Sequence, residues 1–300
     1  MKPTESYFAH RGWPVLDFQR RAWAAYAQGK SGLIHAPTGS GKTLAAWGGP
    51  ADELLEVGGH GLNYLWLTPL RALAGDTARA LARPLAFAGM PDAVGLRTGD
   101  TSSHRKKKLL AQPPPALVTT PESLSVMLSY ADAPRLLGRL RGVFVDEWHE
   151  LMDSKRGVLL QLALARLKAL NPELRTWGLS ATLGNIDEAA EVLLGIPDTE
   201  IDYEPARAEI IAGKTPREVE LVSLLPDHIE RFPWAGRVGV HQLKNVVARI
   251  ESAASTLVFT NTRSQAETWF HAISSVCAWP EAVALHHGSI DRELRESAEQ

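Results

Sequence analysis

Three hundred residues is chain enough for two ordinary domains, and an apolar content of 45% can fill both cores. The single cysteine, Cys277, excludes a disulfide framework and fits a reducing, cytoplasmic setting as a small buried apolar residue. No apolar run approaches the ~18–20 residues that cross a bilayer and no signal-peptide core opens the chain, so no membrane partner is expected; the net charge of −2 means that any nucleic acid must be held by local contacts.

Through residue 195, strand-like and helix-like segments alternate, which predicts a parallel α/β sheet. The first predicted strand, 33–35, runs into residues 36–43, APTGSGKT, and then into a predicted helix over 44–56. A glycine-rich loop in that setting is a phosphate cradle. Gly39 and Gly41 permit the tight turn and Thr38 and Ser40 complete it, so that backbone N–H groups point at an oxyanion. Lys42 supplies charge for the β- and γ-phosphates, and Thr43 a hydroxyl for Mg²⁺. Ala36 stands where this pattern usually has its first glycine, and a small residue still fits.

A predicted strand at 63–67 leads into TPLRAL (68–73) and a helix over 71–83. The strand at 94–97 leads into Gly99-Asp100-Thr101-Ser102-Ser103, with Ser103 as candidate cap of a helix over 104–111. That helix opens with the basic run His104-Arg105-Lys106-Lys107-Lys108, which reads equally as a phosphate contact or a solvated face. The strand at 116–119 ends in TTPESL (119–124), and the strand at 143–146 ends in DEWH (146–149). Carboxylates at the C-terminal end of a buried parallel strand face the same crevice as the phosphate loop. Asp146 can hold Mg²⁺ through water there, and Glu147 can orient or deprotonate an attacking water. A largely buried helix is predicted over 156–169, then a strand at 176–179, the tripeptide SAT (180–182) and a helix at 187–194.

Residues 196–217 lose this rhythm and gather Pro, Gly and charge, as an interdomain linker would. A second α/β unit follows, with strands at 218–224, 256–259 and 282–285 and helices at 246–252 and 264–276; VFTNTR (258–263) and His286-His287-Gly288 follow its strands. So few strands make an incomplete parallel sheet. The chain is therefore expected to be the front part of a longer protein, its second domain truncated at the C-terminal end. Most of the nine tryptophans are expected to pack in the core or on domain surfaces.

Taken in order, APTGSGKT, TPLRAL, TTPESL, DEWH, SAT and VFTNTR resemble the motif series of superfamily 2 helicases. The chain resembles a DExH-box helicase of the large helicase-related group. GWPVLDFQRRAW, DEWHELMDSKRG and RTWGLSATLGN are most similar to bacterial ligase-associated DEXH-box helicases. The resemblance implies two RecA-like parallel-sheet domains, residues 1–195 carrying the ATP site and 218–300 the beginning of the second. It implies that Gln19 reads the adenine edge, for which an amide has a donor and an acceptor, and that Thr38 to Thr43 bind ATP. Trp13 would flank the adenine or simply pack. Lys42, Asp146 and Glu147 would be catalytic, with Thr43 and Asp146 on Mg²⁺. His149 would couple the ATP site to Ser180 and Thr182. Thr68, Arg71, Thr119, Thr120 and Glu122, with Thr260, Asn261, Arg263, His287 and Gly288 of the second domain, would grip a strand's backbone without reading its sequence.

The expected function is thus ATP-dependent translocation on single-stranded DNA, closing and opening a cleft between two lobes. The subgroup implies 3′-to-5′ movement, a role in DNA repair and a ligase or nuclease as partner. An RNA helicase of the same fold acting on RNA or a DNA/RNA hybrid, a phosphate-loop NTPase without a nucleic-acid substrate, and a non-hydrolysing scaffold are the rivals. The arginine that completes the engine in this family lies in a motif beyond the residues of this chain.

Overall fold

The computed structural model describes residues 2–195, 208–213, 219–224 and 240–298, and the chain divides into two compact units, 1–216 and 217–300. Unit 1 opens with helices α1 (Pro3–His10) and α2 (Asp17–Ala27), strand β1 (Gly32–His35) and helix α3 (Lys42–Val57). It continues as β2 (Tyr64–Leu67), α4 (Arg71–Phe87), β3 (Val94–Arg97), α5 (Ser103–Ala111), β4 (Ala116–Thr119), α6 (Pro121–Leu128) and α7 (Ala133–Leu137). It closes with β5 (Gly142–Val145), α8 (His149–Met152), α9 (Lys155–Leu170), β6 (Arg175–Ser180), α10 (Ile186–Leu194) and β7 (Glu209–Ala212).

All strand pairings are parallel, in the order β3-β4-β2-β5-β6-β1-β7. Every strand end of interest therefore opens on one edge of the sheet. Alternation along the strands divides the core in two. Ile34, Tyr64, Trp66, Phe144 and Trp177 face the side covered by α2, α3 and α4, where Trp47 joins them. Leu33, Leu65, Leu67, Val143 and Val145 face α6, α9 and α10 with Leu124, Leu160, Leu167 and Leu193. One face is aromatic and the other aliphatic. Trp47, Trp66, Trp148 and Trp177 are fully buried, as packing tryptophans are, whereas Trp13 and Trp279 are exposed.

The helices start where their sequences satisfy the free N–H groups. Thr120, Ser154 and Asn185 cap α6, α9 and α10 through their side chains. Ser102, one residue earlier than expected, accepts from Arg105 N to cap α5. β7 lies inside the segment predicted as a linker. Its Glu209–Ala212 run pairs with β1 and buries Ile211, so a short apolar run amid Pro and charge suffices when an edge is waiting.

In unit 2, a short 3₁₀ turn at Val240–Gln242 leads into α11 (Leu243–Glu251), followed by α12 (Arg263–Ser274), a second 3₁₀ turn at Pro280–Ala282 and α13 (Arg292–Ala298). Val247, Ile273 and Cys277 form its small core, with Leu243, Ile250 and Trp269 against them. The predicted strands at 256–259 and 282–285 are not strands, and neither are residues 219–224; Glu218 lies outside the described residues. A parallel strand needs partners for its N–H and C=O groups. Among the described residues none is supplied, and Leu257 and Phe259 stay 81% and 88% exposed.

At the N-terminal edge of the sheet, the Glu53 carboxylate accepts hydrogen bonds from Tyr26 Oη (2.5 Å), Tyr64 Oη (2.7 Å), Arg141 Nη1 (2.7 Å) and Arg175 Nη2 (2.7 Å). Arg175 also lies 4.0 Å over the Tyr26 ring. Burial alone would raise the Glu53 pKa, but these donors outweigh it and hold the group at about 2, against an ordinary 4.5. Stability gained this way is present above pH 4.5 and lost as pH falls through 2. Glu53→Ala is expected to lose about 2–3 kcal/mol in urea unfolding at pH 7, because the half-buried Arg175 is left without its partner. The gap should narrow at pH 3. A loss below about 1 kcal/mol at pH 7 would show that the cluster is not a structural tie.

Candidate ATP and nucleic-acid site

β1 ends where the loop 36–43 begins, and β6 separates it from β5, which ends at Val145, one residue before Asp146. With neighbouring strands ~4.8 Å apart, the loop and the acidic strand end stand roughly 10 Å apart across β6. Gly39 and Gly41 have φ of 78° and 88°, left-handed values that favour glycine. The chain then enters α3 at Lys42, so the N-terminus of a 16-residue helix faces the loop. Lys42 Nζ donates to Ala36 O (2.7 Å) and Pro37 O (3.1 Å), and burial lowers its pKa, against the pull of Glu147 and Asp146. Ala36 is fully buried and its N–H donates to Ser180 O (3.1 Å), so a methyl is accommodated where glycine is usual.

Gln19 is buried beside the loop, not on a solvated helix start. Its Nε2 donates to Gly41 O (3.3 Å) and its Oε1 accepts from Leu16 N (2.9 Å). Trp23 fixes α2 against α3 by donating to Leu44 O (3.0 Å), which holds Gln19 in place. Trp13 stands over an edge of Tyr7 and of Phe8, with Arg11 4.8 Å from its ring centre. Thr38 is exposed and Thr43 half-buried. Ser40 Oγ and His35 Nδ1 are buried without a hydrogen-bond partner among the described residues. Orphaned polar atoms beside a left-handed glycine loop and a helix N-terminus fit a polyphosphate.

Burial pushes the Asp146 carboxyl up to about 6, and the neighbouring Glu147 charge adds to the rise. Hydrogen bonds from Trp66 Nε1 (3.3 Å) and Glu147 N (3.1 Å) offset only part of it. An enclosed carboxylate with uncompensated charge fits a divalent cation. Glu147 is the only non-glycine residue with positive φ among those described, at 46°. Such a backbone is strained and persists only where its surroundings force it. Here Asp146 N donates to Leu67 O and Trp148 N to Leu179 O, both at 2.8 Å, and buried Trp148 donates to Ala189 O (2.8 Å). His149 Nδ1 lies 3.0 Å from Ser180 Oγ, which donates to Thr182 O (3.2 Å); the same ring nitrogen is 3.6 Å from Glu147. The structure thus brings Glu147, His149, Ser180 and Thr182 together.

The ends of β2, β4 and β3 continue the same edge as a row. Arg71 is exposed there, 3.7 Å from Asp100. The threonines differ from the expectation of free hydroxyls. Thr119 Oγ1 donates to Arg97 O (2.7 Å), Thr120 caps α6, and Thr68 Oγ1 turns to Leu70 O (3.5 Å), all three buried. Their side chains are spent on the loop itself. Glu122 pairs with Arg156 through both oxygens, at 2.5 and 3.2 Å; burial raises its pKa, but that arginine brings it below the ordinary value. In unit 2, Arg263 donates to Ser289 Oγ (2.5 Å), His287 Nε2 lies 3.3 Å from Glu267, and Arg263 Nη2 would lie 3.7 Å from a Cβ at Gly288. Thr260 and Asn261 are close by in sequence, Thr260 Oγ1 donating to Thr262 O (3.1 Å) and Asn261 N to Gln265 Oε1 (3.2 Å).

The profile of the family described as DEAD/DEAH box helicase matches residues 16–189, from α2 to α10. The chain belongs to the DEAD/DEAH box helicase family. It is 34% identical over 99% of its length to an ATP-dependent helicase Lhr-Core protein 2 of Thermococcus barophilus, and 35% identical over 94% to ATP-dependent helicase Lhr-Core of Sulfolobus acidocaldarius. It spans about a third of each of them, 36% and 33%. Among solved structures it resembles Mycobacterium smegmatis helicase Lhr bound to ssDNA and AMP-PNP, with a TM-score of 0.77 and 33% identity over 99% of this chain and 39% of that one. The superfamily 2 helicase resemblance read from the motifs agrees with these matches, which are to helicases named Lhr and Lhr-Core rather than ligase-associated ones, and unit 1 has the RecA-like fold.

Two features of this helicase site were not legible from the motifs. Trp66 holds Asp146 because Trp66 and Phe144 are paired across β2 and β5, and nothing local to either segment announces that pairing. The strained φ of Glu147 follows from anchoring on both sides by Asp146 and Trp148. Since the folded Asp146 pKa is about 6 against an ordinary 3.8, ionising it works against folding. That penalty is absent below pH 3.8, grows between the two values and is full above 6. Asp146→Asn is thus expected to stabilise the metal-free chain at pH 8 by about 1–2 kcal/mol, the advantage vanishing near pH 4. Thermal melts in chelator across that range check it; an advantage independent of pH would assign the effect to packing.

Proposed function

We propose that this chain forms the nucleotide-hydrolysing and strand-gripping part of an ATP-dependent helicase acting on single-stranded DNA. One observation carries the reading. The phosphate loop, the DEWH acids and Ser180 meet on one sheet edge, and the row with Arg71 lies on that same edge. The names of the Lhr-Core relatives support an ATP-dependent helicase, and the ssDNA in the similar structure supports DNA as the strand. Movement 3′-to-5′ and a repair role with a ligase or nuclease partner are the finer reading, supported by the motif resemblance, and a cytoplasmic site is supported by the single cysteine. Among the described residues no helix is long and apolar enough to cross a membrane.

In this reading the loop N–H groups, the α3 N-terminus and Lys42 bind the β- and γ-phosphates, and Gln19 meets the adenine. Thr43 and Asp146 hold Mg²⁺, which when bound neutralises phosphate oxygens. Glu147 takes a proton from water as its oxygen attacks the γ-phosphorus and the bond to the β-phosphate oxygen breaks, giving ADP and phosphate. His149 feels both Glu147 and Ser180, so γ-phosphate loss is relayed to the β6 end. Exposed Arg71 and the loop backbones grip phosphates without reading bases.

Lys42→Ala is expected to lower ATP turnover at least about 100-fold, since backbone dipoles alone then face the phosphates. Glu147→Gln should bind nucleotide as the parent does yet hydrolyse it about 10²–10⁴-fold more slowly. Steady-state ATPase and fluorescent-nucleotide titrations measure both. Parent-like turnover in folded Lys42→Ala, or lost binding in Glu147→Gln, would remove the respective role. Stimulation of the ATPase by poly-dT above poly-U is expected; the reverse order would make RNA the strand.

A further inference from the structure

The basic run on α5 is not absorbed by the site just described. α5 leaves the end of the edge strand β3 through residues 98–102, against which Arg71 packs. Gly99 makes the approach possible, because a Cβ there would stand 3.2 Å from Arg71 Cζ. Lys106 ties the same loop to the helix by donating to Gly99 O (2.9 Å). Arg105, Lys107 and Lys108 remain exposed.

Two observations mark these three cations as unusual. Several arginines of unit 1 stand opposite carboxylates, from Arg20 with Glu5 to Arg175 with Glu53, whereas among the described residues no carboxylate lies within ion-pair reach of Arg105, Lys107 or Lys108, which are adjacent on one short helix. They also run together along one short helix. α5 has no acidic residue in its first turn, where Arg105 faces the positive end of the macrodipole, and Lys108 lies in its last turn. Arg105 and Lys108 are three positions apart, His104 and Lys108 four, so like charges face each other. α5 buries none of its residues, so packing gives no reason for this arrangement. A chain with a net charge of −2 concentrates uncompensated positive charge here, against local preference. A polyanion relieves all of these conflicts at once.

We infer that Arg105, Lys107 and Lys108 of α5 form a second phosphate-binding patch that carries the strand from Arg71 outward past the edge of the sheet. The inference rests on the nucleic-acid reading above and extends its path. The patch meets the phosphodiester backbone and is indifferent to base sequence.

The test is a fluorescence titration of the full chain with a mixed-sequence single strand at several salt concentrations, repeated with a blunt duplex. In Arg105→Gln/Lys107→Gln/Lys108→Gln the slope of log affinity against log salt should fall by about 2 on the single strand, at about 0.7 for each phosphate no longer neutralised. Arg105→Lys/Lys107→Arg/Lys108→Arg should keep the parent slope. The melting temperature of the glutamine variant should equal or exceed the parent's, since repulsion is relieved; Lys108→Gln alone, with a smaller fall, stands in if it does not fold. A parent-like slope in the glutamine variant overturns this patch and leaves the nucleic-acid reading intact. A fall seen only with duplex overturns the single-strand path. A parent chain that binds no nucleic acid overturns both.

Discussion

The position of β6 between β1 and β5 is the constraint on which this site depends. A strand pair has one spacing, so two strands separated by a third open a gap of roughly 10 Å. That gap separates a phosphate loop from its acids without letting Lys42 and Asp146 collapse into a direct ion pair. The intervening strand also touches both walls of the gap. The register sets Ser180 level with His35, and its carbonyl receives Ala36 N while its hydroxyl meets His149. Trp148 N, bonded to Leu179 O, laces the acidic segment over the same strand end. Both walls of the site are therefore hydrogen-bonded to β6.

This edge stores unfavourable terms. Asp146 is an enclosed carboxylate beside another, and Glu147 has a left-handed backbone. Each opposes folding by an amount on the order of 1–3 kcal/mol. The opposite edge holds the compensation. Glu53 there collects Tyr26, Tyr64, Arg141 and Arg175, tying α2, α3, β2 and β6 together, and those elements or their neighbours carry Gln19, Lys42 and Ser180 at their far ends. Stability is concentrated on the edge that does no chemistry, which leaves the other free to carry charge and strain.

Much of unit 1 was legible because its signals are local. Short apolar runs ending in glycine, threonine or acid gave the six strands up to β6 within one or two residues, and the phosphate loop and DEWH lie where strand ends place them. β7 was hidden because its apolar content is a few residues whose partner, β1, lies far away in sequence. The strands predicted in unit 2 failed for the converse reason. VFT and its neighbours have the right residues, but pairing is a property of two segments, and among the described residues no partner is present. The buried threonines make the same point at the level of one side chain. TTP looks like two hydroxyls offered to a ligand, yet a threonine before Pro121 is also a helix cap, and Thr119 finds Arg97 O across the sheet. Sequence gives the donor, and packing decides who receives it.

The two halves of the proposed activity share material rather than a wire. β2 carries Trp66, whose indole holds Asp146, and two residues later Thr68, where the row of proposed strand grips begins. Trp66 is stacked on Phe144 at 5.4 Å and stands edge-on to Trp47, which belongs to the helix that begins at Lys42. A change in the charge felt by Asp146 therefore acts on a closely packed aromatic group common to the phosphate loop, the acidic strand and the strand leading to Arg71. Closely packed groups move together or not at all, because gaps of even a fraction of an ångström forfeit dispersion energy. The aliphatic face behind β5 and β6 offers no comparable tie to Asp146, since Val143 and Val145 carry no polar atom. In the proposed reading the aromatic face of the sheet is the contact by which nucleotide state and strand grip would be coupled, and His149 with Ser180 is a second, polar contact at the surface of the same edge.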